Sequence, residues 1–348
     1  MQEPVYKTII GWDIGGVQCK CACIDVNLAP LSAKSTSFEI WKNPNKLSEV
    51  LKDLVSDLSL SETIMAVTMT AELSDCFTTK AEGVHFILDA FVKAFPDVSV
   101  MCLGTDEIWV PARQAACDPI NFAATNWIAA AREIARSVGE GIWIDVGSTT
   151  TDIVPFREGA LNVRGRNDTD RLRFGELVYT GLVRSNPNAL ASWVPFEGEW
   201  HRTSNEYFAV MGDCYLLLGE IDPKDYTCTP PDGGRVTVQG AARRLARLIC
   251  ADTSFAKPKS LLPLAGYLKE RQIRLIVDAL YQVLSRSDVK GPACVTGAGS
   301  FLGMQAALRA GLSVSDTLAV IPEMFKRHFP AYAAAKDLAI YLSCPSKP

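Results

Sequence analysis

Two stretches of the chain set a carboxylate at the end of an apolar run, follow it with small residues, and return a charged residue seven positions later. The first is Asp13-Ile14-Gly15-Gly16-Val17-Gln18-Cys19-Lys20, and the second is Asp145-Val146-Gly147-Ser148-Thr149-Thr150-Thr151-Asp152. A tight hairpin of this kind turns backbone N–H groups toward a phosphate and offers a carboxylate to the phosphate's metal. A lone glycine turn after Asp also fits a plain hairpin, where Gly supplies positive φ. Here the turn recurs 132 residues on, and a third small-residue turn, Gly297-Ala298-Gly299-Ser300, follows in the same chain. The repeat implies two facing phosphate loops, one in each of two related lobes.

Such turns need strands on both sides, and the flanking sequence supplies them. Residues 5–13, 18–26 and 31–40 read as three consecutive strands, broken at Gly15-Gly16 and at Asn27–Pro30. Lys46–Ser59 has apolar residues at helical spacing, Ile64–Met69 is a short apolar strand, Ala81–Phe95 is a helix ended by Pro96, and Val98–Leu103 is a further strand. An Ala-rich helix over Asn121–Val138 closes at Gly139. The pattern then restarts with a hairpin of Gly141–Asp145 and Thr149–Phe156. Helices follow at Tyr207–Leu218, Ala241–Ala251 and Lys269–Leu284, then a strand at Ala293–Thr296 and a helix at Phe301–Ala310. A last strand is expected at Leu318–Ile321 and a closing helix at Ala331–Leu342. Residues 157–205, rich in Arg, Asn, Pro and Trp, carry no period that assigns them. Hairpins first and helices after, twice over, predict an α/β fold of two lobes with a cleft between them. The expected division is 1–138 and 139–348, with the terminal helix near 331–345 packing back on the first lobe.

The composition bounds the function. A 348-residue chain with 48% hydrophobic and 21% charged residues has material for a large core. Its net charge of −4 argues against a broad nucleic-acid surface. No window has the apolar length of a membrane span, and no basic segment followed by an apolar one marks a secretory signal. Eleven cysteines without a CxxC pair fit free thiols in a reducing cytoplasm. Cys19, Cys21 and Cys23 alternate, so on a strand they share one face; small buried hydrophobes explain them better than a metal-ligand row.

Other residues invite a choice between roles. Glu72 follows a strand, where a helix-start carboxylate or a cleft-facing acid both fit. Asn126 and Trp127 lie within the Asn121–Val138 helix and read as an exposed amide and a core ring, or as a wall for an aromatic substrate. Arg164, Arg166, Arg171 and Arg173 come close together on either side of Asp168 and Asp170, a solvated charged loop or a set of forks for carboxylate or phosphate. Asp213, before a very apolar helix, is expensive unless paired or bound, and Asp252 is a weaker case of the same kind. His85, His201 and His328 show no metal or triad spacing and read as structural.

The three turns in this order resemble the actin, sugar-kinase and heat-shock-chaperone ATPase superfamily, with Asp13–Lys20 and Asp145–Asp152 as its phosphate loops and Gly297–Ser300 as its adenosine loop. A narrower resemblance covers most of the chain. Gly11-Trp12-Asp13-Ile14-Gly15-Gly16, Thr68–Leu73, Asp118-Pro119, Ala123–Trp127, Asp145–Pro155, Gly175–Gly181 and Gly212-Asp213-Cys214 are similar to the hydantoinase/oxoprolinase-related group linked to tetrahydromethanopterin one-carbon metabolism. The archaeal member of that group, in the methanofuran pathway, joins an aminomethylfuran methyl diphosphate to γ-glutamyltyramine with loss of diphosphate.

The resemblance implies a cytoplasmic transferase that displaces diphosphate by the phenol oxygen of a tyramine or tyrosine acceptor, forming an aryl ether. It implies that Asp13, Gly15, Gly16, Lys20, Asp145, Gly147, Ser148, Thr149 and Thr150 hold the diphosphate, and that Asp13, Asp145 and Asp152 hold Mg²⁺ through water. Lys20 would supply charge, Asp152 or Glu72 the base, and Asn126, Glu176 and Asp213 further substrate contacts. The expected partners are small molecules and a second copy of the chain, with neither nucleic acid nor membrane. One alternative is an ATP-dependent kinase or hydantoinase/oxoprolinase-like enzyme that takes adenosine at Gly297, Gly299 and Ser300; ATP is a cofactor only in that case. Another is a non-catalytic nucleotide-binding protein.

Overall fold

The computed structural model describes residues 6–315 and 321–344. The first lobe runs β1 (Thr8–Ile14), β2 (Gln18–Asp25), β3 (Pro30–Ser37), α1 (Leu47–Leu54), β4 (Thr63–Met69), α2 (Lys80–Ala94), β5 (Ser99–Leu103), β6 (Trp109–Pro111), α3 (Ala112–Ala115) and α4 (Asn126–Val138). Its sheet has the order β3-β2-β1-β4-β5-β6. The β1–β2–β3 part is antiparallel, and β1–β4 and β4–β5 are parallel.

The second lobe runs β7 (Gly141–Val146), β8 (Thr151–Arg157), β9 (Ala160–Leu161), α5 (Asp168–Phe174), β10 (Leu177–Val178), β11 (Trp193–Phe196), β12 (Glu199–Arg202), α6 (Met211–Leu218), α7 (Val238–Arg247), α8 (Leu262–Leu284), β13 (Ala293–Thr296), α9 (Ser300–Arg309) and β14 (Val314–Ser315). Its main sheet has the order β10-β8-β7-β13-β14. Again the hairpin is antiparallel, while β7–β13 and β13–β14 are parallel. One plan is used twice, which is the two-lobed α/β architecture that the repeated turn and its resemblance imply.

Burial follows strand position. β4 is buried along its whole length and β1 along nearly all of it, as parallel-sheet strands covered on both faces require. The edge strand β3 has only exposed and half-buried residues. Ile10, Trp12, Met65 and Phe91 pack on the outer face with α1 and α2, among Cys19, Cys21 and Cys23, which are buried hydrophobes as expected. The other face of this sheet meets α4 and the last helix, α10 (Phe329–Ser343), and the same cluster continues into Trp143 and Phe156 of the second sheet. Both crossing helices are rich in Ala, so they approach closely. A Cβ on Gly11 of β1 would lie 1.9 Å from the Ala331 carbonyl oxygen, which is why that strand position lacks a side chain. The buried Asp337 carboxylate of α10 receives the Trp109 indole N–H at 2.8 Å and pairs with Arg132 and Arg136 of α4. The outer face of the second sheet is covered by α6 to α9.

Several element boundaries depart from the sequence reading for local reasons. The helix expected from Asn121 starts at Asn126, because Ala123 is extended and Ala124 adopts φ +52°. The helix expected from Tyr207 starts at Met211, where the Asp213 carboxylate accepts from the Val210 N–H. The helix expected at Lys269 begins earlier, with Pro263 in its first turn. Residues 157–205 hold the short elements β9 to β12 and α5, too brief to show a period. The strand expected at Leu318–Ile321 lies, but for Ile321, outside the described residues.

Candidate functional site

The two turns are the same object built twice. Ile14 pairs with Cys19 and Val146 with Thr151, so four residues link the strands in each case. Gly15 N–H donates to the Gln18 carbonyl at 3.0 Å, and Gly147 N–H to the Thr150 carbonyl at 2.9 Å. In the first turn the Gly16 and Val17 carbonyls accept from Ile40 and Phe38 of the flanking segment. In the second, the Gly147 carbonyl accepts from Leu182, and the Ser148 carbonyl from Val183 and Arg184. Carbonyls drawn sideways leave the amides of Gly16, Val17, Ser148 and Thr149 without backbone acceptors among the described residues. That arrangement attracts an anion. Gly181 fits here because a Cβ would lie 2.6 Å from the Thr149 backbone.

Both turns open into one cavity of about 320 Å³, lined also by Trp41, Thr70, Glu72, Asn126, Trp127, Asp168, Arg171, Tyr179 and Arg184. Strand register decides what charges face each other across each hairpin. Asp13 lies opposite Lys20, whereas Asp145 lies opposite Asp152. Lys20 Nζ is 3.2 Å from one Asp13 oxygen, and the Asn126 amide donates to the other at 3.2 Å.

The acid pair is handled differently. Asp152 is 2.9 Å from Arg171 Nη2, and the Arg171 guanidinium sits 4.0 Å from the Trp127 ring centroid. Thr296 Oγ donates to Asp145 and itself receives the Trp143 indole N–H at 2.8 Å. Burial, with the charges of Asp152 and Asp13, pushes the Asp145 carboxyl up to about 6; Thr296 and Lys20 pull the other way. Burial also raises Asp152, against the opposing pull of Arg171.

Glu72 follows β4 at the cavity wall. It is buried, and its Oε2 has no hydrogen-bond partner among the described residues. Burial pushes its carboxyl up to about 7 and Asp168 adds to the rise, while the backbone amides of Glu72 and Ala124 and the charge of Lys80 oppose it. Lys80 of α2 and Asp168 of α5 form a 3.0 Å ion pair that joins the lobes beside this carboxylate.

The donor set bears on a divalent cation. Among the described residues no three His, Cys, Asp or Glu side chains converge into a direct cage. Mg²⁺ often keeps several waters and takes only one or two carboxylates with substrate oxygens. Asp145 and Asp152, facing one another across a hairpin at the cavity, fit that manner of binding.

Not every residue singled out in the sequence reaches the cavity. Glu176 is buried away from it, where its carboxylate accepts from the Arg164 and Gly165 amides at 2.7 and 2.8 Å and pairs with Arg286. Asp213 lies in the interior of the second lobe, bound by Arg244 at 2.7 Å and by the Tyr226 hydroxyl at 3.2 Å. Each is an acid satisfied within the fold, not a cavity-facing contact. Asp252 is an exposed turn residue that accepts from the Ser254 and Phe255 amides. Gly297, Gly299 and Ser300 are not on the cavity wall. A Cβ on Gly297, which has φ +91°, would lie 2.4 Å from the Val146 carbonyl oxygen, and one on Gly299 would meet the Val146 side chain. The cavity also contains Arg171, Arg184 and Trp41. Of these only Arg171 stood in a cluster visible in the sequence, and Trp41 and Arg184 gave no local signal.

The hydantoinase/oxoprolinase family pattern matches residues 63–336. A curated relative from Methanocaldococcus jannaschii, (4-{4-[2-(gamma-L-glutamylamino)ethyl]phenoxymethyl}furan-2-yl)methanamine synthase, is 33% identical over 295 residues, covering 84% of this chain and 86% of that protein. A protein of the same name from Methanococcus vannielii is 31% identical over 158 residues, 45% of this chain and 70% of that one. Among solved structures, a ROK family glucokinase from Streptomyces griseus in complex with glucose and AMPPNP aligns at a TM-score of 0.49 with 13% identity, over 94% of this chain and 98% of that one.

Proposed function

The chain belongs to the hydantoinase/oxoprolinase family, and from that premise we propose that it is a transferase of methanofuran-type cofactor biosynthesis. In this reading it joins the phenol oxygen of an acceptor to the methylene carbon of an aminomethylfuran methyl diphosphate and releases diphosphate. The product named for its relatives contains that phenoxymethyl-furan ether. The observation that carries the reading is the convergence of two amide-bearing turns, with Lys20 beside one of them, on a single cavity.

In the reaction, the C–O bond from the furan methylene to the diphosphate breaks, and its electron pair leaves with the diphosphate. The phenol oxygen forms the new C–O bond and loses its proton to a base. The furan ring spreads the positive charge that develops on the methylene, so the enzyme's main contribution is to stabilise the departing anion. Gly16, Val17, Ser148 and Thr149 donate amide hydrogens to it, and Lys20 supplies charge. Asp145 and Asp152 would hold Mg²⁺ through water, with Asp13 beside Lys20; the cation would neutralise the diphosphate. Of the two acids considered for the base, Glu72 fits better. Asp152 is engaged by Arg171, whereas Glu72 has a free oxygen and a carboxyl near 7. The rate should therefore rise as the pH passes through about 7.

The test is to incubate the protein with Mg²⁺, a furan-methyl diphosphate and tyramine or a γ-glutamyl derivative of it, following diphosphate release and ether formation together. Equal amounts of both products are expected. ADP formation from ATP without ether formation would replace this reading with the kinase alternative.

A further inference from the structure

Three cations line the cavity: Lys20, Arg171 and Arg184. The first is paired with Asp13 and the second with Asp152. Arg184 makes no ion pair with the described residues; its guanidinium instead makes a cation–π contact with the Trp41 ring, 5.3 Å from the centroid. Each member of this pair is fastened to one of the two turns. The Arg184 amide donates to the Ser148 carbonyl of the second turn at 2.9 Å. Trp41 follows Ile40, whose amide donates to the Gly16 carbonyl of the first turn at 3.1 Å, and its ring borders Gly16. The contact thus spans the cleft from one turn to the other. A cation–π contact uses none of the guanidinium's N–H donors, so they stay available to bind an oxyanion in a forked geometry.

We infer that Arg184 is a substrate-binding residue that grips the terminal phosphate of the leaving diphosphate, with Trp41 as the platform that holds it across the cleft. The assignment rests on the function proposed above and adds to it a residue that neither turn supplies. A phosphate is favoured over a carboxylate of the acceptor because the Arg184 backbone is bonded directly to the second turn. The free guanidinium also balances a cavity otherwise rich in acids.

The experiment is calorimetric titration of inorganic diphosphate, with and without Mg²⁺, into the wild type and the Arg184→Gln, Arg184→Lys and Trp41→Ala variants. Steady-state KM values for both substrates are measured alongside. Arg184→Gln should weaken diphosphate binding about tenfold or more, the loss typical of a charge-assisted hydrogen bond. Arg184→Lys should recover part of it, and Trp41→Ala should weaken binding by a smaller factor. Thermal midpoints should stay near that of the wild type, since neither residue is fully buried. Unchanged diphosphate affinity in a folded Arg184→Gln protein overturns the inference, as does a change confined to the KM of the phenolic acceptor. A wild type that binds no diphosphate overturns the function proposed above instead, so the two failures are distinguishable.

Discussion

The hairpin of the first lobe and the hairpin of the second share strand order, link length and closing hydrogen bond, yet they differ where it matters for chemistry. Seven residues after its aspartate, the first has Lys20 and the second has Asp152. The first turn carries its own counter-charge across the ladder. The second places two acids opposite each other, and the fold must answer them from elsewhere, with Arg171 from α5 and Thr296 from β13. A repeated backbone therefore supplies two like sets of amides, while one changed residue sets a lysine opposite the aspartate of one turn and a second acid opposite that of the other; in the function proposed above, the first would meet an anion directly and the second would hold a metal ion. Under that proposal, two identical halves would hold an anion symmetrically, and two unlike halves would give it an orientation, with direct charge at one end and a solvated cation at the other.

The largest expected effect comes from removing the charge that distinguishes the first turn. Lys20→Ala should lower kcat by about 100- to 1,000-fold, the scale of losing one preorganised donor to a developing anion. Because Lys20 is partly exposed and the Asn126 amide still donates to Asp13, the same change should cost less stability than the loss of Arg171. Arg171→Met tests the other half. Arg171 is buried, and its loss leaves Asp152 without its cation, so urea unfolding should show a loss of about 3 kcal/mol. Equal stability losses for the two variants would erase the contrast between the turns.

The pH dependence of stability should also belong to the acid-rich side. The Asp145 and Glu72 carboxyls are raised to about 6 and 7 in the folded protein, so the native state keeps protons that the unfolded chain has already released. Below about pH 4 both states are protonated and no difference arises. Stability falls as the pH rises from there through the folded values, and the full cost is present above them. Urea midpoints should therefore fall between pH 4.5 and 7.5, a trend reduced in Asp145→Asn and Glu72→Gln; parallel profiles would contradict it. A smaller effect follows from packing. Gly181→Ala should cost about 1–3 kcal/mol, because its Cβ would press on the Thr149 backbone, whereas Gly147→Ala, with its nearest contact at 3.4 Å, should cost less. Smallest of all, Lys80→Ala removes a partly exposed ion pair between the lobes and should cost about 1 kcal/mol or less in a thermal melt.

What could be read from the sequence was what lies close together along the chain. A turn, its aspartate and the residue opposite it fall within eight positions, so Asp13, Lys20, Asp145 and Asp152 were visible, and so was the doubled hairpin that sets the architecture. Glu72 was visible as an acid just past a strand, and Asn126 as a polar residue of a helix, although that helix was expected to start five residues earlier. Residues brought in by long-range packing were not. Trp41 and Arg184 meet across 143 positions, and no local pattern marks either of them. Thr296 reaches Asp145 only because β13 pairs with β7. Conversely, Glu176 and Asp213 looked like site acids because a buried charge must be answered, but their answers lie inside the fold, at Arg286 and Arg244. Sequence shows that such a charge needs a partner without showing which partner it has.

The division of labour between the turns is tested most directly by the Mg²⁺ dependence of diphosphate affinity in the wild type, Lys20→Ala and Asp145→Asn. Lys20→Ala should weaken binding with and without Mg²⁺, whereas Asp145→Asn should abolish the gain that Mg²⁺ gives and leave metal-free binding near the wild-type value. The same Mg²⁺ response in all three proteins would contradict it.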